Sequence, residues 1–287
     1  MGFLSIIKSR VKRHKSNIIN FVIFLILILG SIIIMLPFLW MFSTSWRLPI
    51  TSFDLPPQWI PTEPRISNYR EVFETIPFFL NVSNSLKVGG LITLGQLLTC
   101  SMAAFAFAKL RFPGRNFLFI LLLASLMVPL QVIIIPIFIL MRMLGLLNTH
   151  SSLIFPAVVS AFGIFLLRQF FLTIPDELVD AAKIDGASYF TIYWRVILPL
   201  AKPALSVLAL FTFNFYWNEF FRPLILLKSY DKMTIPLALV QLSGFYSTGS
   251  VSIIMAGVSL AIVPVLIIFL FTQKYLIEGI ALTGLKG

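Results

Sequence analysis

Six stretches of this chain each hold about 20 or more predominantly apolar residues, the length a helix needs to cross a bilayer's hydrocarbon. They run from about Ile18 to Phe42, Val82 to Ala108, Phe117 to Met141, Ser152 to Phe171, Ala204 to Leu226 and Val251 to Phe271. The charge content agrees: 11% of the 287 residues are charged, where a soluble domain has about 25%. Most of the chain has no water to face, and an all-α integral membrane protein is expected.

Charge placement sets the expected orientation. Lys8, Arg10, Lys12, Arg13 and Lys15 precede the first run, too close to a long span to belong to a cleaved leader. With the N-terminus inside and the loops alternating, Lys and Arg favour the cytoplasmic segments two to one. Both termini are therefore expected in the cytoplasm. The net charge of +11 reads as membrane orientation and not as a nucleic-acid surface. The expected division is a basic cytoplasmic tail (1–17), a first span (18–44), a Pro-rich outer loop (45–80), a five-helix core (81–275) and a cytoplasmic tail (276–287).

Catalytic chemistry has little to work with. The single cysteine, Cys100, excludes an internal disulfide and a cysteine-based metal site. His14 and His150 stand apart, without ligand spacing. No P-loop, Ser/His/Asp set or His-Glu-x-x-His helix occurs. The chain is expected to be no enzyme, to bind no metal and to hydrolyse no ATP itself.

One polar interruption stands out between the fourth and fifth runs. In "TIPDELVDAAKIDG", Thr173 can cap a helix, Pro175 suits its first turn, and Asp176 and Glu177 suit its positive end. Gly186 suits the left-handed position that closes one. The spacing predicts a short helix over about 174–186, with Leu178, Ala181, Ala182 and Asp185 on a small, mostly apolar face. Small side chains admit close approach, and four acids against one lysine disfavour an anionic lipid surface. A protein groove fits this helix better.

The segment resembles the Glu-Ala-Ala, three residues, Gly, nine residues, Ile, one residue, Leu-Pro pattern of ATP-binding-cassette (ABC) importer membrane subunits. Asp180, Ala181, Ala182, Gly186, Val196, Leu198 and Pro199 fill it, with Asp180 replacing Glu and Val196 replacing Ile. "AFAFAKLRFPGRNFLF", "LPLAKPAL", "YWNEFFRPLIL" and the ending "GLKG" look like permeases of maltose-type carbohydrate importers, and of these the second permease subunit. The resemblance implies a type I importer permease fold and an ATP-driven sugar or oligosaccharide uptake system. Its partners would be a different permease subunit, two ATPase subunits holding ATP and Mg2+, and an extracellular solute-binding protein. The interruption would be the coupling helix seated in the ATPase, with Thr283, Gly284, Lys286 and Gly287 as a second contact. The outer loop Tyr230–Ser250 would meet the delivering protein.

For the solute path, Asn214 and Asn218 recur every four residues with Arg222, and Tyr216 and Trp217 lie among them. Amides beside aromatic rings suit a sugar, while helix–helix hydrogen bonding explains the same residues. Glu219 with Arg222 reads as an ion pair. Thr93, Gln96 and Ser101 read as packing groups, and Gln131, between Pro129 and Pro136, as part of a kink. An importer for a non-sugar solute remains open within the same class. An ion-driven transporter would need ionisable groups deep in the membrane, where only Lys87 stands, near the outer end of its span.

Overall fold

The computed structural model describes residues 3–48, 59–243 and 250–284, and every regular element among them is helical. In chain order these are α1 (Phe3–Ser45), α2 (Ser67–Thr75), α3 (Phe78–Lys109), α4 (Arg115–Ser125), α5 (Leu130–Met143), α6 (His150–Ile154) and α7 (Ala161–Phe171). They continue as α8 (Asp176–Ile184), α9 (Tyr189–Ile192), a π-helical turn (Tyr193–Ile197), α10 (Leu198–Leu200), α11 (Lys202–Trp217), α12 (Phe221–Leu226), α13 (Ile235–Leu239) and α14 (Val251–Gly284). Short 3-10 turns cover Phe155–Ala157, Tyr230–Lys232 and Val240–Ser243.

Among the described residues, three helical stretches are long and apolar enough to cross a membrane unbroken: Asn20–Ser45, Phe78–Lys109 and Val251–Leu270. Three bent pairs bring the count of candidate spans to as many as six. α4 and α5 meet at 98°, where Pro129 begins α5 with extended backbone and so ends the preceding helix. The fourth run breaks by 40° over Val158–Ser160. The third pair, Tyr189–Leu200 with Lys202–Trp217, bends by 79°.

The expected fifth run to Leu226 stops at Trp217 instead. Asn218 turns its amide back onto the Asn214 carbonyl at 2.8 Å, a side-chain bond that competes with helix continuation. Arg222 therefore does not continue the face of Asn214 and Asn218, but belongs to the separate α12.

The break in the fourth run is clasped by α3. Broken helix in an apolar environment leaves carbonyls needing partners. Gln96 Nε2 donates to the Ala157 carbonyl at 2.7 Å, Thr99 Oγ1 donates to Val158 O, and Cys100 Sγ reaches Ser160 O at 3.5 Å. Close approach is possible because the facing positions are glycine. A Cβ on Gly95 would sit 2.7 Å from Val158 Cγ1, and one on Gly163 would sit 3.0 Å from Cys100 Sγ. Ser160 then caps α7 by accepting from the Gly163 N–H at 3.2 Å.

α3 is also the central packing element. One apolar cluster joins its Cys100, Ala104, Phe105 and Ala108 to Leu167 and Phe171 of α7 and to Val179, Ile192, Tyr193 and Ile197 beyond. At its other end, Asn81 and Asn84 donate to the Met233 carbonyl at 3.0 Å each, and Ser85 Oγ accepts from the Ile235 N–H at 2.7 Å. These bonds seat the base of the 230–250 loop, whose tip (244–249) lies outside the described residues.

Candidate functional site

The interrupting segment folds as α8, closed at its far end as expected. Gly186 has φ +78°, its N–H bonds to Lys183 O at 2.9 Å, and Ala187 N–H bonds to Ala182 O at 2.9 Å. This pair of bonds is a Schellman closure, which favours glycine at the left-handed position. The start differs from expectation. Thr173 does not cap α8, because its hydroxyl donates back to Phe170 O at 2.8 Å, and Pro175 occupies the N-cap position without a side-chain bond.

The first turn is held by a lysine from elsewhere. Lys109, the last residue of α3, donates to Ile174 O at 2.6 Å and to the Asp176 carboxylate. Its side chain is 2% exposed while that of Asp176 is 76% exposed. The Lys109 hydrogen bond and charge hold the Asp176 carboxyl below its ordinary range.

The helix is rotated relative to the expected face. Val179 is buried and Ala182 half-buried, both in the α3 cluster. The outward side carries Glu177, Asp180, Ala181 and Ile184, with Leu178 at its edge. Ile184 is 87% exposed, and the nearby Tyr189, Phe190 and Trp194 are also exposed. Asp180 pairs with Lys183 at 3.1 Å on the surface.

Val196, Leu198 and Pro199 follow in and after the π-helical turn. The Leu198 N–H reaches Tyr193 O, and this wider turn accommodates Pro199, which has no N–H and crowds the carbonyl four residues back. Val196 and Leu198 pack against the same cluster, while Pro199 is exposed. Tyr193, 2% exposed, bonds through its hydroxyl to Ser101 Oγ at 2.7 Å. Its ring lies 5.6 Å from that of Phe105.

The proposed solute-path residues divide into two groups. Asn214 and Asn218 are exposed and bonded to each other. Tyr216 is half-buried, and its hydroxyl accepts from Gln96 Nε2 at 3.3 Å. Trp217 is buried, stacked on Phe213 with ring centroids 5.7 Å apart. Beside them Arg222 and Glu219 form the expected ion pair, 5% and 7% exposed. Arg222 Nη2 lies 2.6 Å from Glu219 Oε2, and Nη1 donates to Leu153 O at 3.4 Å. The guanidinium also lies over the Tyr216 ring at 4.9 Å. Thr283 and Gly284 end α14, their side chains outside those described. Lys286 and Gly287 lie outside the described residues.

Lys109, Val179, Tyr193 and Ile184 lie at or beside α8 without being among the residues that the sequence singles out. Lys109 stands in the stretch "AFAFAKLRFPGRNFLF" with no neighbouring residue that marks it as a helix anchor. A buried partner for the acidic first turn of α8 was the signal to look for.

The chain is similar to known transport proteins. The chain is 40% identical over 204 residues to the arabinooligosaccharides transport system permease protein AraQ of Halalkalibacterium halodurans, covering 71% of this chain and 73% of that protein. It is 32% identical to the sn-glycerol-3-phosphate transport system permease protein UgpE of Salmonella typhi, covering 88% and 93%. Among solved structures, a bacterial ABC transporter involved in import of the acidic polysaccharide alginate superposes with TM-score 0.77 over 91% of this chain and 98% of that one, at 24% identity. That likeness shows the type I ABC permease fold. Residues 95–281 match the sequence profile of one family, and the chain belongs to it: the binding-protein-dependent transport system inner membrane components.

Proposed function

We propose that this chain is one permease subunit of an ATP-driven importer for a sugar or oligosaccharide, fed by an extracellular solute-binding protein. It supplies half of the translocation path, beside a different permease subunit. Of two ATPase subunits, which hold the ATP and Mg2+, one seats against the outward side of α8 and the other against the partner permease. Each bent pair contributes one span, making six, with both termini in the cytoplasm.

The observation that carries this reading is the way α8 is presented. Lys109 fixes its start, Val179 buries its inner side, and a Schellman closure ends it, yet Ile184 is 87% exposed. Together with the exposed Tyr189, Phe190 and Trp194 nearby, this side chain leaves an apolar surface open beside a polar helix, and such a patch marks a contact surface. Converting a two-state pathway from 1:99 to 99:1 takes about 5.5 kcal/mol of differential interaction, and a firmly seated helix can transmit such a load. The arabinooligosaccharide permeases among its relatives support a carbohydrate cargo, while the sn-glycerol-3-phosphate permeases support a related importer for a non-sugar solute.

The test is purification of the chain from its host membrane with mild detergent. An ATP-hydrolysing subunit is expected to accompany it, and sugar uptake by the reconstituted assembly should require ATP. Isolation of a competent assembly without such a subunit would overturn the reading.

A further inference from the structure

The covalent routes out of the α8–α10 segment are interrupted at both ends. Four residues, Leu172–Pro175, separate α7 from α8, and α10 meets α11 across Ala201 at 79°. Force applied to α8 along the chain would be absorbed at these interruptions. α3 instead runs unbroken for 32 residues and touches the segment through two polar contacts. Its last residue, Lys109, holds Ile174 and Asp176. Eight residues earlier, about 12 Å along the helix axis, fully buried Ser101 holds the Tyr193 hydroxyl at 2.7 Å. Phe105, midway between them, packs on the Tyr193 ring.

One attachment would let the segment pivot, whereas two at this separation fix its direction as well as its position. We propose that α3 is the element through which movement of α8 reaches the membrane core, with Ser101, Tyr193 and Lys109 as positioning residues. This inference rests on the functional reading above and adds the route of transmission. The polar contacts are suited to the task because hydrogen bonds are directional, while the surrounding apolar cluster resists separation without fixing rotation.

The test uses the complete assembly in proteoliposomes, measuring ATP hydrolysis and sugar uptake together. Tyr193→Phe keeps the ring and removes only the hydroxyl. It should leave hydrolysis near wild type and lower uptake per ATP about fivefold, the equilibrium worth of one hydrogen bond. Ser101→Ala should match it, and the double variant should be no worse than either single one. Lys109→Met should shift the same ratio, with Lys109→Arg restoring most of it. Unchanged uptake per ATP in Tyr193→Phe and Ser101→Ala would overturn the proposal. So would uptake and hydrolysis falling together with the thermal midpoint, which marks a mere staple. A wild-type assembly without ATP-dependent uptake would remove the functional reading itself, and this inference with it.

Discussion

Gln96 of α3 and Thr212 of α11 share a hydrogen bond of 3.0 Å, Thr212 Oγ1 donating to Gln96 Oε1. The same Gln96 side chain donates through Nε2 to Ala157 O and to the Tyr216 hydroxyl. One buried amide thus joins three spans. Gln96→Leu keeps the volume and strands the Ala157 carbonyl. The expected loss is about 1–3 kcal/mol, the cost of an unsatisfied buried polar group, read as a lower thermal midpoint in detergent. A midpoint equal to wild type would show that the amide is dispensable.

Gly95 tests the closeness of the same contact. A Cβ there meets Val158 at 2.7 and 3.0 Å, so Gly95→Val should separate α3 from the break and cost about 1–3 kcal/mol as overpacking. Combining it with Val158→Ala should recover part of that loss in the same melting experiment.

The Arg222–Glu219 pair is buried on both sides. Arg222→Met leaves a carboxylate without its counter-charge and should cost about 3–5 kcal/mol, whereas Arg222→Met with Glu219→Leu should be far milder. If the double variant melts as low as the single one, the guanidinium has a role beyond neutralising Glu219, and its contact with Leu153 O becomes the place to look.

The two sides of α8 should respond differently. Ile184→Asp changes an open position, so the subunit should fold with an unaltered midpoint and lose its ATPase partner on purification. Ala182→Arg forces a long cation against the α3 cluster and should cost about 2 kcal/mol of stability or more, read as a lower midpoint. Equal behaviour of the two variants would contradict the orientation of α8.

Acid should loosen the grip on α8. The Asp176 carboxyl titrates below its unfolded value of 3.8 because of Lys109. Its stabilisation is therefore complete above that value and disappears as pH falls through the lower folded value. Melting followed from pH 7 down to about 3 should show an acid-side decline that is shallower in Asp176→Asn. Identical slopes would argue against the contact.

The apolar runs and the close of α8 were legible because each rests on local chemistry: span-length hydrophobicity and glycine at a helix end. The start of that helix was not, because the Thr173 hydroxyl turns back onto Phe170 O and Lys109 from α3 holds the first turn instead. Nor was the rotation of α8. Val179 and Ala181 are both apolar, and nine residues offer too few turns for periodicity to decide which one faces inward. The early end of α11 had a local sign in Asn218, but four-residue spacing to Arg222 suggested a continuous face. Lys109 and Asp176 lie 67 positions apart, and Ser101 and Tyr193 lie 92 apart. Such pairings depend on how the helices assemble around α3, which no short window contains. For Trp217, which sequence allows either beside a sugar or in helix packing, burial and stacking on Phe213 are set by a partner on its own helix and by the surrounding assembly.

The clasp at residues 157–160 carries a consequence for cargo. Main-chain oxygens exposed by a kinked helix are natural resting points for hydroxyls or dehydrated cations in transit. Here Ala157, Val158 and Ser160 already have their oxygens engaged by α3. At this break a passing sugar would therefore have to be met by side chains and not by these three oxygens.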